Sequence, residues 1–440
     1  MCDKLSHFAF FDTIVRDVML IEFEVGNCRS FRDPVVLSLA AAAINEHEEN
    51  VIESGRYRLL PSAALYGANA SGKSNLLGAF VFMRNFVLAS SKDTQTKDLI
   101  NVQPFLLDTQ TPEKPSRFEM RFLLDDMTYR YGFEVDRYRI HSEWLFQATK
   151  IKETELFTRE NQEIKVSVKF PEGESLQAKT RDNALYLSVV AQFNGPVATR
   201  ILAWFDAMIP LHGLADGQYG RSMEWLSDPV RADKLFSLLK KADLDIEGLR
   251  VIEHKADPKP LQLVFTQKGK GELVVPLSRT SGPFQRLESV HALYEDGKRI
   301  GQVAMDFETA ESHGTRKFFQ IAGPVLDALE QGRVMIVDEF DSRLHPLLSL
   351  ALVHLFHSPK TNPHHAQLIF ATHDTLLLRH GKLRRDQIWF VEKDRQECSK
   401  LYSLAEIKVR KEEAFDKNYL DGRYGAVPNP ELGDFLQDVQ

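Results

Sequence analysis

The chain has 440 residues, a net charge of −7 at neutral pH, and an ordinary balance of 43% hydrophobic and 27% charged residues. This length predicts one large domain with an insertion, or two domains, and the acidic balance argues against a general nucleic-acid coat protein. The three cysteines are far apart with no disulfide or zinc spacing, and no apolar run of about 18 residues predicts a membrane span, so a cytoplasmic protein is expected.

The first lobe, 19–149, follows a short extension, 1–18. A secretory signal would need a basic start and a cleaner apolar stretch than this extension has, and Met19 is an alternative natural start. The strands predicted in this lobe are Met19–Val25, Ala63–Tyr66, Arg117–Leu124, Thr128–Val135 and Ile140–Lys150. The last three indicate an antiparallel meander. Helical periodicity follows the second strand over Asn75–Ala89.

The middle of the chain, 150–288, is interpreted as an inserted α+β subdomain that forms a lid for contact with a partner or with DNA. Its predicted helices cover Ala184–Leu211, with a break at Gly195–Pro196, and Met223–Ala242. No clustered His, Asp and Glu set predicts a second active site there.

The last lobe, 289–440, alternates helices with buried strands. The elements predicted here are a helix over Thr315–Leu329, strands at Arg333–Val337, Gln367–Ala371 and Gln387–Glu392, and a helix over Leu347–His357. Buried strands followed by helices are typical of a parallel sheet. We therefore expect an α/β fold with a mainly parallel sheet, an antiparallel meander and an α+β insertion.

One glycine-rich stretch, Gly67–Ser74 (GANASGKS), fits G-x-x-x-x-G-K-[ST] without a mismatch, between an apolar strand and a helix. Such a loop turns its amides onto an anion, with help from the helix start. Lys73 is then a point charge at the β- and γ-phosphates, and the Ser74 hydroxyl is a Mg²⁺ ligand. The residues expected to bind the nucleotide here are Gly67, Asn69, Ala70, Ser71, Gly72, Lys73, Ser74 and Asn75.

Two adjacent carboxylates, Asp338 and Glu339, directly follow the apolar strand Val334–Val337. This pattern is typical of a Walker B element. Asp338 is predicted to hold hydrated Mg²⁺, and Glu339 to orient and polarise the attacking water. Because strand side chains alternate, the two carboxylates cannot serve the same role.

Further motifs surround this strand. Glu311–Thr315 (ESHGT) resembles a degenerate ABC signature that keeps Ser312 and Gly314, although the same residues also fit a plain helix N-cap. Phe340–Pro346 (FDSRLHP) resembles the D-loop of ABC and SMC-like ATPases. His373, in Ala371–Asp374 (ATHD), matches their switch histidine, and Gln103 is the candidate Q-loop glutamine and metal ligand.

The motif set resembles the ABC-type ATPases of bacterial anti-phage defence, in the AbiL/RloA-like (AAA_15, AAA_21) group, which are related to RecF and OLD-type ATPase heads. The likeness extends over most of Met19–Pro430. Beyond the nucleotide motifs it includes Asn27–Phe31 (NCRSF), with Arg29 as a nucleotide-binding candidate, the meander, Asn183–Asn194 and Tyr419–Pro428 (YLDGRYGAVP).

This resemblance implies a head-to-tail homodimer, or dimers of higher order, with two ATP molecules and Mg²⁺ held between subunits. Each phosphate loop would then face Ser312 and Gly314 of the partner subunit. It also implies ATP hydrolysis that controls a separately encoded effector, a nuclease, in response to DNA or a phage-derived trigger. The segment after His373 is expected to be too short for an appended nuclease domain.

Two other hypotheses about the function stay open. One is a RecF-like repair ATPase that binds DNA directly, in which case ATP-dependent DNA binding should weaken as salt rises. The other is a module that binds nucleotide without hydrolysing it, against which Glu339 and His373 speak.

Overall fold

The computed structural model describes residues 18–92, 95, 97–214, 217–244, 246–254, 262–266, 272–276, 284–410 and 413–428. The chain divides into two compact units, one formed by residues 1–215 and 325–440 and the other by residues 216–324. Among the described residues, no helix is long and apolar enough to cross a membrane.

The strands run as follows in chain order: β1 Met19–Gly26, β2 Val35–Ser38, β3 Ile52–Ser54, β4 Tyr57–Leu59, β5 Ser62–Tyr66, β6 Ser116–Leu124, β7 Met127–Val135, β8 Ile140–Ala148, β9 Thr154–Glu160, β10 Glu163–Val166, β11 Ile209–His212, β12 Gly248–His254, β13 Gln262–Thr266, β14 Glu272–Pro276, β15 Phe284–Glu295, β16 Lys298–Asp306, β17 Val334–Asp338, β18 Gln367–Ala371, β19 Ile388–Lys393 and β20 Ser399–Ser403. The helices are α1 Lys73–Ala89, α2 Tyr186–Gln192, α3 Pro196–Ala207, α4 Gly220–Ser227, α5 Pro229–Lys241, α6 Phe307–Ala310, α7 His313–Gln331, α8 Pro346–His357, α9 Leu376–His380 and α10 Phe415–Leu420.

The first unit contains a sheet of order β11-β17-β18-β5-β19-β20. Its neighbours pair in parallel as far as β19, and β20 closes the edge antiparallel. Strands β5, β17 and β18 are buried along their whole length, as expected for central parallel strands. Their carboxyl ends meet at one edge, where ligands bind in open α/β sheets.

A second, antiparallel sheet has the order β10-β9-β8-β7-β6-β1-β2 and contains the predicted meander. Helix α1 packs against it through Phe80, whose ring centroid lies 3.7 Å from that of Phe23 on β1. The same hydrophobic core reaches Ile336 and Ile369 of the parallel sheet. Helix α1 is therefore held on both sheets, and the expected α/β class, with a parallel sheet and an antiparallel meander, is confirmed.

The second unit contains an antiparallel sheet of order β12-β15-β16 and the hairpin β13-β14. The rings of Tyr219, Phe307 and Phe319 pack together in its interior. Helix α4 lies close to α7, because the Ser222 hydroxyl donates to Phe319 O at 2.6 Å and accepts from Gly323 N at 3.1 Å. A Cβ at Gly323 would lie 2.5 Å from Ser222, so only glycine allows this approach.

The insertion differs from its predicted bounds of 150–288. Strand β9 pairs with β8 and extends the meander, and helix α3 buries Trp204 against Phe122, with ring centroids 3.9 Å apart. These contacts place residues 150–214 in the first unit, and the second unit runs on to 324. The predicted bounds followed local sequence patterns, and such patterns do not show which sheet a strand joins.

Two predicted helices also differ from the observed ones. The helix predicted over Ala184–Leu211 ends at Ala207, and Ile209–His212 forms β11 beside β17. This is an edge strand, where Pro210 is tolerated because an amide donor is not needed on the outer side. The helix predicted over Met223–Ala242 is split at Asp228, whose carboxylate caps α5 by accepting from Val230 N and Arg231 N.

A buried histidine, His357 at the end of α8, makes stability depend on pH. Its Nε2 lies 2.8 Å from the Ser62 hydroxyl, and burial lowers its pKa to about 3, with His354 and His47 acting in the same direction and Glu49 against it. Between about pH 6.5 and pH 3 the unfolded chain binds a proton here that the folded chain does not, so folding free energy is lost as the pH falls.

We therefore expect wild type to lose about 1–2 kcal/mol more between pH 7.5 and pH 5 than His357→Gln does. Urea unfolding of both proteins at the two pH values measures this difference. His364→Gln, which removes an exposed histidine, is the control and should keep the wild-type pH dependence. Identical pH dependence of wild type and His357→Gln would contradict the assignment.

Candidate nucleotide site

The phosphate loop connects the buried strand β5 to α1, which begins at Lys73. Gly72 has φ 119° and Ala70 has φ 61°, so the loop curls through left-handed conformations. A Cβ at Gly67 would lie 2.4 Å from Val391 O, and one at Gly72 would lie 2.3 Å from the Ser399 hydroxyl. Both glycines of the motif are thus required by space, and Gly72 is required by its backbone conformation as well.

Lys73 is buried within this loop. Its Nζ donates to Gly67 O at 2.8 Å and to Ala68 O at 3.2 Å. Burial lowers the pKa of Lys73, while the nearby carboxylates of Glu339, Asp338 and Asp341 raise it. The ammonium is therefore a compact donor held against the loop by short contacts, which suits it to meet a phosphate.

Two serines that the motif does not include brace the loop. The Ser399 hydroxyl donates to Ser71 O at 2.6 Å and lies 2.7 Å from the Ser30 hydroxyl. The Asn75 amide donates to Ser30 Oγ at 2.8 Å, so this predicted nucleotide-binding residue is engaged in the brace. Ser30 and Ser399 are 369 residues apart in sequence, and no local pattern could have paired them.

Arg29 and Gln103 meet through their backbones, because Arg29 N donates to Gln103 O at 2.8 Å. The Arg29 guanidinium lies over Gly78 of α1, where a Cβ would come within 2.4 Å of Nη1. Within the described part of the chain, no hydrogen bond joins the Gln103 side chain to the phosphate loop. Both residues therefore stay predictions as nucleotide and metal contacts.

The acidic pair ends the buried strand β17. Asp338 is buried, and its Oδ1 accepts from Glu339 N at 3.1 Å. Glu339 has φ 52°, a left-handed conformation that costs energy for a residue with a side chain and is common at functional sites. The chain thus turns at Glu339, and its carboxylate lines the cavity in front of the phosphate loop.

The predicted switch residue, His373, follows β18 at the same edge. Its amide donates to the Asp341 carboxylate at 3.3 Å, which joins the D-loop to the switch loop. Burial lowers the pKa of His373 and the Lys73 ammonium lowers it further, while Asp341, Glu339 and Asp338 act in the opposite direction. A neutral imidazole, able to accept or donate a proton, is favoured at neutral pH.

These motifs surround one cavity of about 690 Å³. Its lining residues are Ala68, Asn69, Ala70, Leu214, Glu339, His373 and Pro428. The structure therefore brings the phosphate loop, the residue after the Walker B strand and the switch histidine to one place. Leu214 and Pro428 were not predicted as site residues.

His212 is a further residue at this edge that the sequence did not reveal, since its segment was predicted as helix. It lies opposite Asp338 in the parallel register of β11 and β17, with Nε2 3.8 Å from Asp338 Oδ2. Its Nδ1 accepts from Leu214 N at 3.2 Å, so Nε2 carries the proton that faces the carboxylate. Gly213 makes the close approach possible, because a Cβ there would lie 1.9 Å from Glu339 O.

The signature candidates Ser312 and Gly314 belong to the second unit. Ser312 stands just before α7, and its hydroxyl accepts from Thr315 N at 3.1 Å. This is the geometry of an N-cap, and Gly314 lies in the first turn of that helix. Contact of either residue with nucleotide stays a prediction.

The donor set fits Mg²⁺ bound together with a nucleotide. Ser74 is exposed in the first turn of α1, and the buried Asp338 ends the neighbouring strand β17, so both offer the oxygen ligands that Mg²⁺ prefers. Among the described residues, no cluster of three or more His, Cys, Asp or Glu side chains forms a dedicated metal cage. A Mg²⁺ ion bound with the nucleotide would supply positive charge that neutralises the phosphates.

Fold and site together define a P-loop NTPase with an α/β core. Residues 62–379 match the AAA_21 family, described as "AAA domain, putative AbiEii toxin, Type IV TA system". Because this match covers most of the chain, the protein belongs to that family. No curated protein sequence matches it.

Several solved structures are similar to the chain. An SMC head domain from Thermotoga maritima has 12% identity and a TM-score of 0.37, with 89% of this chain and 99% of that one covered. An SMC head bound to the C-terminal winged-helix domain of ScpA has 15% identity and a TM-score of 0.39, with 87% and 97% covered. The recombination mediator RecF with ATP has 13% identity and a TM-score of 0.30, with 89% and 100% covered.

Proposed function

We propose that this chain hydrolyses ATP and acts as a sensor or scaffold in bacterial anti-phage defence. In this role it would control a separately encoded effector, a nuclease, through ATP-dependent dimerisation. The observation that carries the proposal is a cavity lined by the phosphate loop together with Glu339 and His373.

The residues of this cavity have different roles in ATP hydrolysis. The loop amides and Lys73 bind and neutralise the phosphates, and the Glu339 carboxylate orients the water and accepts its proton. His373 stands beside the same space with a neutral imidazole. Such catalysis depends on positioning and on charge stabilisation, so small displacements of these groups change the rate strongly.

We propose that ATP bound at the phosphate loop is completed by Ser312 and Gly314 of the partner subunit in a head-to-tail dimer. A dimer that forms with ATP and opens after hydrolysis is a two-state switch, and ATP shifts its population by binding the closed state more tightly. An effector that binds only one of the two states is then controlled by the ATPase cycle.

The test combines biochemistry with phage challenge. Purified protein should hydrolyse ATP, and cells that carry the gene with its neighbouring genes should resist phage, whereas Lys73→Ala should abolish both properties. Hydrolysis without any effect on phage plating would refute the defence role and leave the ATPase intact. If the isolated protein binds DNA, and this binding requires ATP and weakens as salt rises, the RecF-like repair hypothesis would be favoured instead.

A further inference from the structure

The segment 415–428, called the tail segment below, carries a motif that the proposed hydrolysis does not use. It begins as α10 and folds back through left-handed residues, with φ 70° at Gly425 and 58° at Ala426. The Tyr419 hydroxyl donates to Ala426 O at 3.3 Å, and the Asn418 amide donates to the Tyr424 hydroxyl at 3.0 Å. The shape of the turn therefore depends on its own side chains.

The tail segment is anchored on the parallel sheet. The Tyr419 ring stacks on Phe390 of β19, with centroids 5.6 Å apart, and the Tyr402 hydroxyl of β20 donates to Tyr424 O at 2.8 Å. At Gly425 a Cβ would lie 2.7 Å from the Tyr402 hydroxyl, so the backbone sits directly on the strand. These contacts hold the segment in one place.

Tyr419 also reaches the start of the phosphate loop. Its ring packs edge-on against Tyr66, the last residue of β5, with centroids 5.5 Å apart. Burial raises the pKa of Tyr419 to about 12, and the backbone of Gly67, first in the loop, acts against the rise. The ring of Tyr419 thus contacts the residue that joins the strand to the loop.

The end of the tail segment lies at the cavity itself. Pro428 lines it together with Asn69 and Ala70 of the phosphate loop and with His373. In addition, the Tyr66 hydroxyl donates to Asp374 O at 3.0 Å, next to the switch histidine. The pair Tyr66 and Tyr419 therefore connects the tail segment to both the phosphate loop and the switch loop.

We infer that the tail segment is part of the nucleotide site, in which the Tyr419 ring supports the strand that enters the phosphate loop, and its hydroxyl holds the turn that places Pro428 beside the bound phosphates. The inference rests on the proposed ATP site. A loop that is held in its curled form binds phosphate without first having to be ordered. Loss of this support weakens the binding of the substrate and of the transition state equally. Such a loss raises KM and leaves kcat unchanged.

Tyr419→Phe in the full chain tests this inference, because it removes the hydroxyl that holds Ala426, two residues before Pro428, and keeps the ring packing. We expect KM for MgATP and Kd for MgADP to rise about two- to tenfold, the range for one lost hydrogen bond, with kcat unchanged within about twofold. The matched control is Tyr186→Phe, which removes a buried hydroxyl that donates to Gly173 O, far from the loop in sequence. This control should bind MgADP as wild type does.

Melting temperatures separate a positioning role from a purely structural one. Tyr419→Phe should melt near the control without nucleotide, but should gain less stability from a fixed MgADP concentration. Pro428→Gly, at an exposed position, gives a second variant that does not depend on core packing, and it should also weaken MgADP binding.

Wild-type MgADP affinity in both Tyr419→Phe and Pro428→Gly would overturn the inference and leave the proposed function standing. Failure of the wild type to bind MgADP would overturn both. A rise in KM confined to the two tail variants would support the inference.

Discussion

Replacement of Glu339 by glutamine is expected to reduce kcat for ATP hydrolysis by about 10²–10⁴-fold, the contribution typical of a positioned general base. Glutamine keeps the size of the side chain and its left-handed backbone turn, but it cannot accept the proton of the attacking water. Since Lys73 and the phosphate loop are unchanged, ATP binding should persist. The variant should therefore accumulate in the ATP-bound, dimeric state.

The measurement is steady-state hydrolysis together with size-exclusion chromatography and light scattering, with and without MgATP. Glu397→Gln is the matched control, because Glu397 also has a left-handed backbone, with φ 58°, and its carboxylate makes an exposed ion pair with Lys393 at 3.3 Å. The control should hydrolyse ATP normally. Hydrolysis by Glu339→Gln at the wild-type rate would exclude Glu339 as the base, and a monomer that persists with ATP would exclude the dimer switch.

Removal of the Glu143 carboxylate is expected to cost about 3–5 kcal/mol of stability, because it breaks a buried ion pair. Glu143 and Arg159 are both fully buried, with Oε2 and Nη1 3.6 Å apart. The carboxylate also accepts from the Tyr131 hydroxyl at 3.0 Å and from the amides of Tyr186 and Leu187 at 2.6 and 3.0 Å. Burial raises the pKa of Glu143, and Arg159 and the two amides oppose this effect.

Glu143→Ala leaves the guanidinium of Arg159 without its fully buried ion-pair partner and the first amides of α2 without their side-chain acceptor. Urea unfolding should show a lower midpoint, while Glu143→Gln, which keeps one acceptor oxygen, should lose less. Glu163→Ala, at an exposed ion pair with Lys165 on β10, should stay within about 0.5 kcal/mol of wild type. Equal midpoints for the alanine variants at 143 and 163 would refute a stabilising role for the network.

Several parts of the site could be predicted because their chemistry is local. The curl of Gly67–Ser74 needs glycine at two positions, and the helix that follows begins at the predicted lysine. An apolar strand followed by Asp338 and Glu339 must turn where it leaves the sheet, and the chain turns at Glu339. In each case a few consecutive residues contain the whole physical requirement.

Other parts depended on which strands become neighbours. The pairing of β11 with β17 brings His212 close to Asp338. Neither the residue types nor their spacing in the sequence predicts this contact. Composition also placed the insertion at 150–288, whereas pairing of β9 with β8 keeps the first part of that range in the ATPase unit. Strand pairing is a long-range choice, made by burial of faces that lie far apart in the chain.

The amino-acid sequence by itself determined the class of protein, one that binds nucleotide through a P-loop. The phosphate loop, the acidic strand end and the switch histidine each predict this class, since each motif carries its own backbone geometry. Only the tertiary structure decided that Ser30 and Ser399 brace the loop, that His212 faces Asp338, and that the tail segment reaches Tyr66 and the cavity. These contacts join residues that lie far apart in the chain, so their formation depends on sheet order and core packing and not on any local pattern.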